Sequence, residues 1–272
     1  MIPDKLTADY SEKYEVSIRL TSNGLSFWGY IPTEKDSFFS ETYPFEHDLS
    51  AVESLKNIFF ANACFSFRYQ LCNMICVSAR YTLMPALVFR EKEKVRLFNF
   101  CHPKDDSLKV LADSVKGLNV SLLYGMDEDI YAFLVRSLTN PRFIHALSPV
   151  LACLQKQSLM RYPKQMLVIL REDMIDVICM QQGELLFANS FQYDSDSDIV
   201  YYLLYICRQT DFNQLEDSLL LSGEQHRCRS VLAVIRKYIR QAECLQPALK
   251  NHPSTHGQYL PMDTVALMEC VL

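Results

Sequence analysis

The chain has 272 residues, 49% hydrophobic and 22% charged, which suits one large or two modest domains with a buried core and excludes a disordered protein. Its 27 basic and 32 acidic residues give a net charge of -5, which argues against a nucleic-acid binder held by electrostatics. Only 7 glycines are present, where average usage of about 7% would supply about 19. Their positions exclude the P-loop and Rossmann fingerprints, which need glycine at fixed spacing.

The first predicted element is a β-hairpin. Apolar and polar residues alternate from Tyr14 to Thr21, which is the period of a strand with one buried face. Asn23-Gly24 follows, and this pair favours the tight turn between two antiparallel strands. Leu25–Tyr30 is the returning strand, and a third extended segment is expected over residues 38–45. The chain therefore begins with a predicted three-stranded meander.

A helix is predicted next, because Ser50 and Glu53 have the spacing of a capping box and an apolar stripe continues to about residue 63. Acidic residues 127–129 mark another helix start, where the helix dipole favours negative charge. The other elements of this half are predicted as strands over 71–77, 95–100 and 120–124, a helix over 104–116, and further helix up to about 158.

The second half repeats this order of elements without a visible repeat of residues. The predicted elements are strands over 166–170, 174–180 and 184–191, a helix after 194–198, a short strand over 218–221 and a helix over 227–242. We therefore predict a mixed α/β protein with two lobes, residues 1–160 and 161–272, the second ending in a C-terminal docking segment.

Three stretches carry a resemblance to a known fold: the hairpin EVSIRLTSNGLSFWGY, the segment Val77–Phe89 and the LLLSG segment Leu219–Gly223. With the duplicated pattern, the chain resembles the ribonuclease H-like fold of actin-like ATPases. It is similar to a bacterial family of uncharacterised proteins and to cytoplasmic scaffold proteins of pilus assembly and type II secretion. The resemblance implies two lobes, each with a meander-containing mixed sheet flanked by helices.

The chain departs from that resemblance at the turns that would hold nucleotide phosphates. The first turn, Thr21-Ser22-Asn23-Gly24, has no carboxylate for magnesium, and the second, residues 171–174, has no glycine. Backbone N–H groups approach an anion closely where no Cβ obstructs them. Active members of the actin-like class have two adjacent glycines after a late strand, where this chain has Ser222-Gly223. We predict a non-catalytic scaffold without cofactor; the alternative is an atypical interdomain ATP site using Asp173, Ser222 and Gly223.

Two surface sites are also considered. Trp28 and Tyr30 lie on the strand face opposite Leu25 and Phe27, so an exposed aromatic patch there would mark a protein contact. Arg229, Arg236 and Arg240 have the spacing of one helix face and could meet an acidic partner or phosphates. A solvated basic face is the favoured interpretation, because the acidic balance of the chain makes nucleic acid an unlikely ligand. Another protein or a second copy of the chain is the expected partner.

Compartment and metal content follow from the remaining patterns. Ten cysteines are scattered without a CxxC pair, as expected for mostly reduced thiols in the cytoplasm. No apolar run reaches the length of about 18 residues that spans a bilayer, and the N-terminus does not resemble a signal peptide. The acidic triplet at 194, 196 and 198 lacks the glycine and glutamate of a calcium loop, so no metal site is predicted.

Overall fold

The computed structural model describes residues 2–115, 117–249, 252, 255 and 259–270. The described chain forms two compact units. The first unit comprises Met1–Ser114, Val120–Ser148 and Asn251–Thr255, and the second comprises Val115–Asn119, Pro149–Lys250 and His256–Leu272. Residues 149–160, which the sequence assigned to the first lobe, therefore belong to the second unit.

The first unit contains a five-stranded mixed sheet with the order β3-β2-β1-β4-β8 and a three-stranded sheet with the order β5-β7-β6. In the larger sheet β2 pairs antiparallel with β1 and β3, while β4 pairs parallel with β1 and β8. The elements are β1 (Glu15–Thr21), β2 (Gly24–Tyr30), β3 (Phe39–Pro44), α1 (Ala51–Ala61), β4 (Leu71–Cys76), β5 (Tyr81–Pro85), α2 (Lys94–Cys101), β6 (Leu108–Val115), β7 (Val120–Asp127), α3 (Glu128–Ser137), β8 (Arg142–His145) and the start of α4 (Leu147–Ser158).

Local signals determine the helix starts in this unit. The Ser50 side chain accepts a hydrogen bond from the Glu53 N–H, and the Glu53 carboxylate accepts one from the Ser50 N–H, so the predicted capping box is confirmed. Asp127 caps α3 through the Ile130 N–H, with a distance of 2.9 Å from carboxylate to nitrogen. Each cap satisfies an N–H group that a helix leaves unpaired.

Three predictions for this unit are wrong. Residues 95–100, predicted as a strand, lie in α2, where the helix turns Phe98 into a small core with Val110 and Leu123. Residues 104–116, predicted as a helix, contain strand β6 instead. Pairing beside β7 overrides the local helical spacing, because strand formation depends on cross-strand packing more than on local preference. Strand β8 also interrupts the helix predicted up to residue 158.

The second unit contains a five-stranded mixed sheet with the order β11-β10-β9-β12-β13. Three antiparallel strands are followed by two parallel ones, as in the larger sheet of the first unit. One face packs on α5 and α6 in a large apolar core. The elements are β9 (Gln165–Leu170), β10 (Met174–Gln181), β11 (Glu184–Gln192), α5 (Asp196–Gln209), β12 (Ser218–Ser222), α6 (Gln225–Ile235), β13 (Gln241–Cys244) and α7 (Met262–Cys270).

The predicted mixed α/β class is confirmed, and the shared strand order explains why the two halves of the sequence look alike. Most cysteines with a described side chain are buried. Eight are free in the described part of the chain, whereas Cys153 is disulfide-bonded. This bond was not expected from the scattered cysteine pattern.

Candidate functional site

The first turn of interest joins β1 to β2 at residues 21–24. The Thr21 hydroxyl donates to the Gly24 carbonyl at 3.1 Å, and the Phe45 N–H donates to the Asn23 carbonyl at 2.8 Å. A Cβ at Gly24 would lie 2.5 Å from the Tyr43 carbonyl oxygen, which is closer than any real contact of that kind. The glycine of this turn is therefore needed for the close approach of β3.

The second turn joins β9 to β10 and is closed by side-chain and backbone contacts. The Arg171 N–H donates to the Met174 carbonyl at 2.9 Å. The Tyr193 hydroxyl lies 2.7 Å from the Arg171 carbonyl and 3.2 Å from the Glu172 carbonyl. Asp173, a candidate ligand, is exposed at the tip of this turn. The Tyr193 N–H also donates to the Asp173 carbonyl, so all four carbonyl groups of the turn have partners within the second unit.

The side chain of Arg171 turns inward and joins a buried ion cluster. Its Nε lies 2.6 Å from Asp176, and its Nη1 lies 3.1 Å from Asp263 on α7. The three side chains expose only 8%, 2% and 1% of their surface, in that order. The Ser190 hydroxyl also hydrogen-bonds to the Asp176 carboxylate. One guanidinium thus bridges two buried carboxylates from different elements of the second unit.

Electrostatics keep this cluster charged. Burial by itself lowers the pKa of Arg171, but the Asp176 and Asp263 carboxylates raise it by more, so its net shift is upward. A guanidinium suits this position because its planar N–H groups can serve two carboxylates at once. The cationic charge of Arg171 is therefore already balanced by the chain itself.

Ser222 and Gly223 lie at the same sheet edge as the second turn. Strands β12 and β9 are parallel, with Ser222 opposite Ile169, so both strands end at this edge. A Cβ at Gly223 would lie 2.9 Å from the Leu170 Cβ and 3.1 Å from its carbonyl oxygen. Ser222 is fully buried, and its hydroxyl has no hydrogen-bond partner among the described residues. The glycine is required by packing against the end of β9.

Trp28 and Tyr30 do not form the exposed aromatic patch that the sequence suggested. Their exposed fractions are 3% and 7%. Strand β2 lies inside the sheet between β1 and β3, and both of its faces are covered. The Trp28 ring packs 6.1 Å from the Phe38 ring, and the Tyr30 hydroxyl donates to Glu15 at 2.7 Å. That expectation is wrong, because a strand with two buried faces shows no solvent side.

The basic face predicted at Arg229, Arg236 and Arg240 also differs from the structure. Helix α6 contains Arg229 but ends one residue before Arg236, while Arg240 directly precedes β13. The Arg236 Nε donates to the Ala242 carbonyl at 3.1 Å, and the Arg240 N–H donates to Gln214 at 2.9 Å. All three side chains are exposed. They do not form one helix face, because the chain turns after Ile235 to add β13 to the sheet.

A polar cluster that the sequence did not predict lies in the first unit. The Asp113 carboxylate accepts hydrogen bonds from the His145 N–H at 2.7 Å and from the Ser148 hydroxyl at 2.6 Å. The Leu147 N–H lies 3.3 Å from His145 Nδ1, and His145 Nε2 lies 2.9 Å from the Ser78 carbonyl. With the Leu147 N–H donating to Nδ1, the ring proton that faces the Ser78 carbonyl is on Nε2. No spacing signal predicts the cluster, since Asp113 is 32 residues from His145.

The Asp113 cluster predicts a pH-dependent stability. Burial raises the pKa of Asp113 from 3.8 to about 6, against the opposing effects of Ser148, the His145 N–H and Arg142. A raised folded pKa means that the folded state holds this proton more tightly than the unfolded chain. The bound proton of Asp113 therefore contributes about 2 to 3 kcal/mol to the free energy of unfolding. This contribution is complete below pH 3.8 and is lost as the pH rises through 6.

We therefore expect Asp113→Asn to be relatively more stable at pH 8 than at pH 4. The measurement is the difference in free energy of urea unfolding between this variant and the unsubstituted protein across that range. Other titrating groups cancel in the difference, so a constant value from pH 4 to 8 would contradict the raised pKa.

Metal and membrane features are absent from the described residues. No group of three or more His, Cys, Asp or Glu side chains there could hold a metal ion. None of the helices in this part of the chain is both long enough and apolar enough to cross a membrane.

Comparison with solved structures identifies the fold. A Bacteroides thetaiotaomicron VPI-5482 protein, described as having an actin-like ATPase fold and unknown function, is 30% identical with a TM-score of 0.85. The match covers 99% of this chain and 100% of that one. The PilM-PilN type IV pilus biogenesis complex matches with a TM-score of 0.60 and 10% identity, covering 94% of this chain and 97% of the other. The predicted resemblance to the actin-like fold is confirmed.

Sequence families give a consistent result. A family model described as "Protein of unknown function (DUF3822)" matches residues 3–242. No curated protein matches the chain.

Proposed function

Because the chain belongs to the DUF3822 family of unknown function and has the actin-like ATPase fold, we propose that it is a non-catalytic scaffold that has lost its nucleotide-phosphate motifs. In this proposal the protein acts in the cytoplasm by binding another protein or a second copy of itself. Its two lobes arose by internal duplication of one ribonuclease H-like unit. This last part is supported by the common strand order of the two five-stranded sheets.

The proposal depends mainly on one observation, the Arg171 ion cluster behind the second turn. In the proposed ancestor a phosphate would bind at such a turn through free backbone N–H groups. Here the cation of the turn, Arg171, is paired with Asp176 and Asp263 at 2.6 and 3.1 Å. A phosphate bound there would be repelled by the two carboxylates, and this repulsion is strong in a low-dielectric environment. Nucleotide binding is therefore disfavoured at this edge.

Both glycines near the turns support the same proposal. Gly24 is needed for the approach of β3 and Gly223 for the approach of β9, as the short distances to Tyr43 and Leu170 indicate. Packing thus accounts for each glycine without a phosphate. A scaffold role is further supported by the PilM relative, whose solved structure is a complex with PilN.

A thermal-shift titration with MgATP and MgADP tests the loss of nucleotide binding. A ligand at one hundred times its dissociation constant stabilises the folded state by about 2.7 kcal/mol. We expect no change in melting temperature at millimolar nucleotide.

A rise in melting temperature would contradict the proposal and favour the alternative, an ATP-binding switch with an atypical site. One observation supports that alternative: Asp173 follows β9, Ser222 is the last residue of β12 and Gly223 follows it, and both strands end at one edge of the sheet. The variant Asp173→Asn would then identify the site, because Asp173 is exposed and its substitution should leave folding intact. Loss of the nucleotide-induced rise in this variant would assign Asp173 to binding.

The scaffold part of the proposal needs a separate experiment. Affinity purification of the tagged chain after crosslinking in cells, followed by mass spectrometry and sedimentation analysis, should recover one stoichiometric protein partner or a defined homo-oligomer. A protein that sediments only as a monomer and recovers no stoichiometric partner would contradict the scaffold role.

A further inference from the structure

Two free cysteines of the second unit lie on different elements but at one place in the fold. Cys228 is in α6, near its start, and Cys244 is the last residue of β13. Both are free thiols. The sequence gave no reason to pair them, because sixteen positions separate the two residues along the chain.

Sheet pairing brings Cys244 to the end of β12. Cys244 lies opposite Leu221 in the parallel pairing of β13 with β12. Its side chain packs against the apolar core that contains Leu221 and Cys228. It therefore lies on the sheet face that α6 covers.

Helix α6 places Cys228 at the same end of β12. The Cys228 Sγ lies 3.4 Å from the position that a Cβ on Gly223 would occupy, and Gly223 is two residues beyond Leu221. The neighbouring Cys244 side chain also contributes to the raised pKa of Cys228. Strand register, glycine packing and core contacts thus place the two cysteine side chains together at the end of β12.

The two thiols differ in access to solvent. Cys228 is 1% exposed, whereas Cys244 is partly exposed at the end of its strand. Burial, followed by the neighbouring Cys244, raises the pKa of Cys228 to about 12, so Cys228 is held as a protonated thiol. A solute in water would reach Cys244 first, because reactivity depends on exposure as well as on thiolate content.

We propose that Cys228 and Cys244 form an oxidisable dithiol that a hydroperoxide converts to an intramolecular disulfide. In the first step the Cys244 sulfur attacks the peroxide O–O bond, giving a sulfenic acid and releasing an alcohol, or water when the oxidant is hydrogen peroxide. In the second step the Cys228 thiol gives its proton to the sulfenic oxygen and its sulfur attacks the Cys244 sulfur, so that the S–O bond breaks, water leaves and the S–S bond forms. Two thiols lose two electrons and two protons, which the peroxide accepts.

The disulfide would fasten the short edge strand β13 to helix α6. β13 pairs with β12 over only four residues, so a covalent link at its last residue would restrain the chain where it leaves the sheet. The dithiol would therefore couple the redox state of the surroundings to the order of this edge. A reductant such as a small thiol would reverse the link by thiol–disulfide exchange.

A second pair of cysteines provides an internal comparison. The Cys179 side chain is near enough to Cys207 to contribute to the raised pKa of the Cys207 thiol. Both are buried in the same core, with exposed fractions of 0% and 5%. An oxidant in water should not reach either sulfur in the folded protein, so this pair should stay reduced under conditions that oxidise Cys228 and Cys244.

The test uses the full chain carrying Cys101→Ser, since Cys101 is exposed and could form links between molecules. The protein is treated with hydrogen peroxide, alkylated with iodoacetamide after denaturation, and mapped by mass spectrometry without reduction. We expect loss of alkylation at Cys228 and Cys244 together, a linked peptide lighter by two hydrogen atoms, and full recovery after dithiothreitol. Cys179 and Cys207 should remain alkylated.

Variants separate the proposed chemistry from general oxidation. Cys228→Ser should leave Cys244 as a sulfenic acid that dimedone traps, and Cys244→Ser should leave Cys228 alkylated after peroxide treatment. Complete alkylation of both cysteines in the oxidised protein, or links that join different molecules only, would overturn the proposal. If a serine variant fails to fold, the peptide map of the chain with both cysteines still decides the question.

Discussion

Replacing Arg171 by methionine should lower the free energy of unfolding by about 3 to 5 kcal/mol at neutral pH, because it leaves two buried carboxylates without a counter-charge. Asp176 and Asp263 lie 2.6 and 3.1 Å from the guanidinium and are almost fully buried. The methionine side chain keeps most of the volume but supplies no hydrogen bonds. Urea denaturation followed by circular dichroism measures the change.

Two further variants identify the cause of that loss. Arg171→Met combined with Asp176→Asn and Asp263→Asn should recover part of the stability, since the uncompensated charges are removed together with their partner. The free energy of unfolding of Arg171→Lys should lie between those of the unsubstituted protein and the methionine variant, because an ammonium group cannot reproduce the planar bridge between two carboxylates. A loss below about 1 kcal/mol for Arg171→Met would show that the cluster behaves like a surface ion pair.

Replacing Trp28 by alanine should destabilise the protein by about 3 to 5 kcal/mol, the usual cost of removing a large aromatic side chain from a core. Trp28 is 3% exposed on an internal strand and packs beside Phe38. The measurement is thermal and urea unfolding of the variant. Trp28 is the one tryptophan of the chain, so its fluorescence emission in the unsubstituted protein gives an independent readout of burial.

Trp28→Phe serves as the matched control for this prediction. It keeps an aromatic ring in the core and removes an indole N–H that has no hydrogen-bond partner among the described residues. An unsatisfied buried donor is costly, so its removal should offset part of the lost volume. The phenylalanine variant should therefore lose less than half as much stability as the alanine variant. A stable alanine variant with reduced self-association would instead restore the interpretation of Trp28 as a contact residue.

Sequence patterns predicted the parts of the fold that depend on neighbours along the chain. The hairpin of β1 and β2 follows from alternation, although its turn residues are Ser22 and Asn23 rather than Asn23-Gly24, because Gly24 already pairs with Thr21. The start of α1 follows from Ser50 and Glu53. Predictions failed where pairing with distant strands decides the conformation, as at residues 104–116, which form β6 beside β7. The end of α6 was missed for the same reason, since β13 exists only because β12 is there to pair with it.

The candidate site divides in the same way. Composition and turn sequences alone indicated that the second turn lacks glycine and that Gly223 stands alone after β12. They could not predict that Arg171 turns inward, because its partner Asp263 is 92 residues away and reaches it only through the packing of α7. They also could not place Trp28 inside the protein, since burial of both faces of β2 depends on what the rest of the chain lays over them.

The amino-acid sequence by itself therefore determined the opening meander of each half and the helix that follows it, the mixed α/β class and the scarcity of glycine at the turns. These properties depend on backbone preferences and hydrophobic periodicity within short stretches. Only the tertiary structure decided which charges meet, which aromatic rings are covered and which thiols are adjacent. Those contacts join residues that are distant in sequence, and their free energy appears only when the sheets and helices pack together.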